Sequence, residues 1–185
     1  MVMLPGKQVN LRFIQDEDLP ELLTLMNDLT NRGDYLGVEL HHETKIQKYY
    51  NDAGYWESDF GRMLITHKSG RIAGAITFFK GAADNEGYEI GFQIYRKEDR
   101  GKGYATEALR LFSSYLFEWK PIPRLQICTA KENAAARRIA EKCGFVYEGT
   151  MRHAYFARGK YVDLDLLSML RHECPPLSEV MAEGS

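Results

Sequence analysis

Between Glu86 and Thr106 the chain reads EGYEIGFQIYRKEDRGKGYAT, a strand that runs through a glycine-rich turn straight into a helix. Residues 88–95 alternate. Tyr88, Ile90, Phe92 and Ile94 fall on one face; Glu89, Gly91, Gln93 and Tyr95 fall on the other. That period of two marks a half-buried strand. A charged loop follows (Arg96, Lys97, Glu98, Asp99, Arg100), closed by Gly101-Lys102-Gly103. In the helix, Ala105, Ala108, Leu109, Phe112, Tyr115, Leu116 and Trp119 recur at three-and-four spacing, which predicts one apolar face. Glu107, Arg110, Ser113, Ser114 and Glu118 lie off that face.

A helix start carries N–H groups without partners and the positive end of the peptide dipoles. Glycines just ahead of it let the backbone approach an anion. Such a place binds phosphate. A Walker A loop needs G-x-x-x-x-G-K-[ST], but Gly101-Lys102 is followed by Gly103, and Arg96 stands where the first glycine belongs. The dinucleotide fingerprint G-x-G-x-x-G fails at Thr106. What remains is Arg100-x-x-Gly103-x-Ala105.

On this pattern the chain resembles the GNAT N-acetyltransferases, whose acetyl-CoA loop reads R/Q-x-x-G-x-G/A between a strand and a helix. Neighbouring segments strengthen the resemblance and direct it to the RimJ/RimL-like ribosomal-protein N-terminal acetyltransferase branch. YEIGFQI is similar to that branch's EIGYWL strand. Asn133 followed by Glu141-Lys142-x-Gly144-Phe145 is similar to its second motif, and Glu148-Gly149, Arg152, Gly159 and Asp163 to its C-terminal hairpin.

The resemblance implies an α/β (α+β) GNAT fold, with a mixed, mostly antiparallel sheet of about seven strands flanked by about four helices. It implies a single domain over residues 1–172 and a flexible tail over 173–185. Acetyl-CoA would be the co-substrate, with no metal. Gly101, Lys102, Gly103, Tyr104, Ala105 and Thr106 would hold its diphosphate, with charge from Arg100 or Lys102. Phe92, Gln93 and Ile94 would lie along the pantetheine, and an N–H near Gln93 or Ile94 would serve the oxyanion. Asn133 would touch the CoA arm, cap its helix, or do both; Arg138 completes the cofactor set. Glu89 matches the general base of the branch. Its bland alternative is a solvent-facing strand carboxylate.

The chain departs from the family at the acid that protonates the thiolate. Ala136 stands where the branch has serine, and Ala140 where other branches have tyrosine. Water, the product ammonium, Tyr147 or Tyr155 are the substitutes. Cys143 falls on an apolar helix face and reads as core.

The implied acceptor is a primary amine. An α-amine, with a pKa of about 7.7–8.0, is far more often neutral at pH 7 than a lysine at about 10.4. A modest base therefore suits an α-amine of a protein or peptide. Alternatives are a small amine (polyamine, amino sugar or antibiotic) and an acyl-CoA-binding module without turnover. A homodimer is a further expectation.

Composition narrows the setting. A chain of 185 residues with 44% hydrophobic content is ordinary for one globular domain. A net charge of −2 gives no basic excess for nucleic acid. Cys128, Cys143 and Cys174 lack CxxC spacing, which argues for a reducing compartment and against zinc or a disulfide framework. MVMLPGKQVN lacks a signal-peptide core and no apolar run approaches about 18 residues. These features predict a cytoplasmic protein without a membrane partner.

The rest of the chain supplies a strand at Val9, Leu11 and Phe13. A helix with the stripe Leu19, Leu22, Leu23, Met26 and Leu29 follows, ending near 31–33. Segment 34–59 is aromatic and weakly periodic, with a short helix near 43–51. Its rings either pack on the sheet or line an acceptor groove. Strands are predicted at 63–66, 72–79 and 125–129, a helix at 134–143, and a hairpin of 146–157 with 161–170 about Arg158-Gly159-Lys160.

Overall fold

The structure is a computed structural model that describes residues 3–81 and 86–183. In chain order the elements are β1 (Leu4–Pro5), β2 (Val9–Phe13), α1 (Leu19–Asn27), α2 (Glu43–Ala53), β3 (Phe60–His67), β4 (Ile72–Lys80) and β5 (Tyr88–Ile94). Then come α3 (Tyr104–Trp119), β6 (Arg124–Ala130), α4 (Ala134–Lys142), β7 (Val146–Ala157), β8 (Lys160–Leu170) and α5 (Leu177–Ala182). All eight strands join one sheet in the order β1-β2-β3-β4-β5-β6-β8-β7. Every neighbouring pair is antiparallel except β5 with β6. The mixed sheet and the α/β class agree with the sequence reading. The additional strand is β1, where Leu4 pairs with Leu11; two residues are too short to show a period.

Strand alternation divides the core. Met63, Ile65, Ile76, Phe78 and Ile90 point to one face and pack with Leu109, Phe112 and Leu116 of α3. Leu64, Ala75 and Tyr95 point to the other and pack with Leu19, Leu22 and Met26 of α1 and Ile46 of α2. Alpha-helix α1 stops at Asn27, short of the predicted end. The Asp28 side chain accepts from the N–H groups of Thr30 and Asn31, so the backbone takes a turn rather than another helical step. The Asn27 amide then exchanges two hydrogen bonds with the backbone of His41.

The largest departure concerns α3 and the C-terminus. Residues 173–185 read as a frayed tail, yet within the described part Leu177–Ala182 is a helix and Val180 is buried. It covers the face of α3 that the sequence left off the apolar stripe. Ser114 Oγ donates to the Pro175 carbonyl at 2.9 Å, and Glu118 Oε1 accepts from the Leu177 N–H at 3.0 Å. Arg110 makes a forked pair with Glu183 at 2.7 and 3.0 Å. Ser114 is buried as a result, and Ser113 is buried too, whereas Trp119 of the predicted stripe is 41% exposed. Glu107 is also engaged: its carboxylate accepts from the backbone N–H groups of Lys7, Gln8 and Val9 in the β1–β2 turn. Helix α3 is therefore engaged on more faces than its apolar stripe, with Glu118 and Trp119 left exposed near its end.

If α5 is part of the folded core, Val180→Ala should lower stability by about 1–2 kcal/mol. Urea denaturation followed by far-ultraviolet circular dichroism measures this; a change within error would return the segment to a loose tail.

Candidate active site

The site begins where the sheet opens. Strands β5 and β6 pair only at Tyr88 with Leu125 and Glu89 with Gln126. Beyond Glu89 the ladder ends, although β5 continues to Ile94 and β6 to Ala130. The Tyr95 N–H donates to the Ala73 carbonyl of the β4 side at 2.9 Å. Backbone groups alternate in direction along a strand, so those of Gly91 and Gln93 also turn to β4. Those of Ile90, Phe92 and Ile94 turn to the gap. The close approach at Gly74 agrees: a Cβ there would lie 2.1 Å from the Gln93 carbonyl oxygen. Of the two predicted oxyanion positions, Ile94 can present its N–H to the gap. Gln93 presents only its side chain, to the cavity described below.

One end of the gap meets the glycine turn. Gly101 and Gly103 have φ of 75° and 88°, a conformation that favours glycine. No side chain caps α3, whose ladder starts with the Glu107 N–H on the Gly103 carbonyl at 3.0 Å. The N–H groups of Tyr104, Ala105 and Thr106 thus have no intrahelical acceptor. Asp99 pins the loop. Buried to 1% exposure, it accepts from Arg71 at 2.8 Å, with His67 at 3.3 Å and Lys102 at 3.9 Å. Burial pushes its carboxyl up, but the hydrogen bonds and charges of Arg71 and His67 outweigh burial and hold it below the usual range.

The two predicted cations differ. The Arg100 guanidinium turns back on the carbonyls of Ile94, Tyr95 and Asn31, so it braces the loop. Lys102 keeps half its side chain exposed beside the turn. Asn133 caps α4, with Oδ1 accepting from the Ala136 N–H at 3.2 Å, and it also lines the cavity. Arg138 is exposed and lies outside that lining. Its neighbour Arg137 pairs with the fully buried Asp165 at 2.8 Å.

The gap also opens into a cavity of about 550 Å³ that runs beside β5 from Glu89 to Tyr95. Its floor is the sheet face carrying Arg62, Thr77, Glu89, Gly91, Gln93 and Tyr95. Glu89 Oε2 accepts from Gln126 Nε2 at 3.1 Å and from the Cys128 thiol at 3.4 Å. Its Oε1 has no hydrogen-bond partner among the described residues. Burial, then the Glu89 charge, push the Cys128 thiol up to about 12, so it remains protonated and donates to Glu89. Burial likewise pushes Cys143 up to about 12, in keeping with a core thiol.

The loop between α1 and α2 forms the wall. Tyr35 Oη donates to the Glu132 carbonyl at 2.9 Å, the Gly37 N–H donates to Tyr155 Oη at 3.1 Å, and Arg158 reaches the Arg32 carbonyl at 3.3 Å. The aromatic segment thus divides. Tyr35 and His41 line the cavity, while Tyr49, Tyr50, Tyr55 and Trp56 pack in the two cores. Of the two candidate tyrosines only Tyr155 lines the cavity; Tyr147 bonds Thr150 at 2.8 Å. Arg62 is a lining residue that the sequence reading missed, because the strand was started at Met63. The available signal was parity: Arg62 shares the inward side of Leu64 and Thr66.

Among the described residues no group of three or more His, Cys, Asp or Glu side chains is placed to hold a metal ion. No helix among them is long and apolar enough to cross a membrane.

Comparison with known proteins agrees with this geometry. Residues 8–146 match the family model described as an acetyltransferase (GNAT) domain. The chain belongs to that family and is an N-acetyltransferase of the GNAT type. It is 36% identical to YdaF of Bacillus subtilis over 104 residues, a match that spans 56% of each chain. It is 26% identical to the spermidine N(1)-acetyltransferase of Escherichia coli over 172 residues, covering 92% of this chain and 90% of that one. The spermidine N-acetyltransferase of Vibrio cholerae, solved with CoA and spermine, superposes with a TM-score of 0.77 at 22% identity, over 90% of this chain and 97% of that one. RimL, the ribosomal L7/L12 α-N-protein acetyltransferase solved with coenzyme A, gives 0.77 at 18% identity, over 92% and 98%.

The Glu89–Cys128 contact is testable by alkylation. Both burial and the carboxylate disfavour the thiolate, so Glu89→Gln should lower the Cys128 pKa and raise its thiolate fraction. Iodoacetamide labelling at about pH 9, mapped by mass spectrometry, should then be faster at Cys128 in the variant and unchanged at Cys143.

Proposed function

We propose that the chain transfers the acetyl group of acetyl-CoA to the α-amine of a protein or peptide, in the manner of the RimJ/RimL-like branch. The observation that carries this reading is the single opening between β5 and β6. It begins at Glu89, with the uncapped start of α3 beyond it and a cavity alongside.

In this reading the N–H groups of Tyr104, Ala105 and Thr106 hold the diphosphate, close to Gly101 and Gly103, with Lys102 adding charge. The backbone groups of Phe92 and Ile94 bind the pantetheine amides, and the Asn133 amide Nδ2 adds a donor. The neutral amine attacks the thioester carbonyl, a C–N bond forms, and the oxyanion accepts from the Ile94 N–H. The C–S bond then breaks. Glu89 takes the amine proton, directly or through water. Tyr155, whose oxygen accepts from the Gly37 N–H, gives its hydroxyl proton to the departing CoA thiolate.

The acceptor choice rests on two arguments. An α-amine is far more often neutral at pH 7 than a lysine, so a carboxylate base such as Glu89 suits it better. The cavity lining carries Arg32 and Arg62 as well as Glu39 and Glu89, so it lacks the excess of negative charge that would favour a polycation. The likeness to spermidine acetyltransferases keeps a polyamine as the second reading.

Thiol release measured with acetyl-CoA and a panel of amines tests the choice. Turnover on peptide N-termini and little on spermidine is the expected result; the reverse order establishes the second reading. CoA that binds without thiol release on any amine would make the protein a non-catalytic acyl-CoA binder. Gly103→Glu places a carboxylate where the diphosphate belongs and should abolish CoA binding by calorimetry while the circular dichroism spectrum is retained. Glu89→Gln should lower kcat by about 10²-fold and alter the pH–rate profile, with CoA affinity unchanged. A rate unaltered across pH removes Glu89 from the mechanism.

A further inference from the structure

Arg62 stands out within the cavity. It is half-buried on β3, and among the described residues no carboxylate lies within ion-pair distance of it. Its Nε donates to Thr77 Oγ1 at 3.1 Å, which fixes the plane of the guanidinium. Tyr55 and Phe60 flank it, with ring centroids 5.8 and 5.9 Å from Cζ. The Nη edge meets only Met26 Sδ, at 4.0 Å. A guanidinium held this way has lost part of its water, and its Nη edge has gained only a weak thioether acceptor in exchange. Its free edge is a planar fork that matches a carboxylate.

The surroundings do not supply the missing charge. Arg32, the other arginine of the lining, is occupied by the carbonyls of Met26, Gly37 and Glu39. Glu39 reaches toward Lys45 at 3.9 Å and is 72% exposed. Burial, with Arg32 and Arg62 acting against the opposing pull of Glu39, holds His41 below its usual value; its imidazole is neutral near pH 7. The cavity is therefore bipolar, with Glu89 at one end and the two arginines at the other.

The sheet fixes the separation. Arg62 pairs with Thr77, Thr77 pairs with Gly91, and Glu89 is two positions along β5. Two strand spacings and two residue rises place the Cα atoms of Arg62 and Glu89 about 12 Å apart on one face. A single small ligand spans that distance once both side chains reach inward.

We infer that Arg62 is a carboxylate subsite and that the acceptor is a primary amine bearing a carboxylate, namely a peptide N-terminus with an acidic side chain in its first two residues. The amine lies toward Glu89 and the carboxylate docks on the Nη edge of Arg62. This rests on the acetyl-transfer reading above and narrows it. It sets the protein apart from an enzyme for polyamines, which would bring positive charge against the arginines.

The test uses C-terminally amidated tripeptides that differ only at the second residue, glutamate or glutamine, with spermidine and free glutamate as further arms. Binding is read by calorimetry with CoA present, and transfer by thiol release. The glutamate peptide should bind at least tenfold more tightly than the glutamine peptide and show a correspondingly lower KM. Free glutamate as the better acceptor would assign the same subsite to a small amino acid. In Arg62→Met the loss on the glutamate peptide should exceed that on the glutamine peptide by at least tenfold; Arg62→Lys should recover part of the difference. Thermal melts check that both variants fold. Equal binding of the two peptides, or equal losses in Arg62→Met, overturns the inference. Selective binding without acetyl transfer would leave the subsite standing and bring down the transfer reading instead.

Discussion

The separation of β5 from β6 after Glu89 governs the rest of the molecule. A parallel ladder abandoned after two pairs would ordinarily leave backbone groups without partners. Here each strand has a complete ladder on its other side, β5 with β4 over seven register pairs and β6 with β8 over seven. The strands are therefore fixed while their facing edges stay open. Such an edge selects for a ligand that is itself narrow and amide-bearing, because only alternating peptide-like groups match the spacing of Ile90, Phe92 and Ile94.

Around that opening, charged residues act mainly as mechanical parts. Asp99 gathers Arg71, His67 and Lys102 under the glycine turn. Glu107, an acid in the first turn of α3, would oppose an anion at the helix start. Its carboxylate is instead committed to the β1–β2 turn. Arg100 closes the loop onto its own strand. The fold thus keeps the helix start free of competing side chains.

Much of this was legible in the chain itself. The alternation of residues 88–95 and the stripe of α3 locate the strand, turn and helix, because each is a local period. Asn133 was readable as a cap for the same reason. Docking was not readable. Ser114, Arg110 and Glu118 look like a solvated face until the C-terminal segment is laid over them. Arg137 looks solvated until Asp165, 28 residues away, is found beneath it. Periodicity reports polarity, whereas burial of a polar side chain depends on a partner distant in sequence. Arg62 escaped notice for that reason too: parity puts it on the inward side of its strand, but nothing near it in sequence shows that it lacks an acidic partner.

The wall of the cavity is stitched together by contacts across 97, 118 and 126 residues, from Tyr35 to Glu132, Gly37 to Tyr155 and Arg32 to Arg158. A chain emerging from the ribosome completes Glu89, the glycine turn and α3 well before the hairpin that holds the wall. Synthesis runs from the N-terminus, and a domain folds as a unit. Because residues of the hairpin hold it, the wall cannot close around the cavity until β7 and β8 have been made.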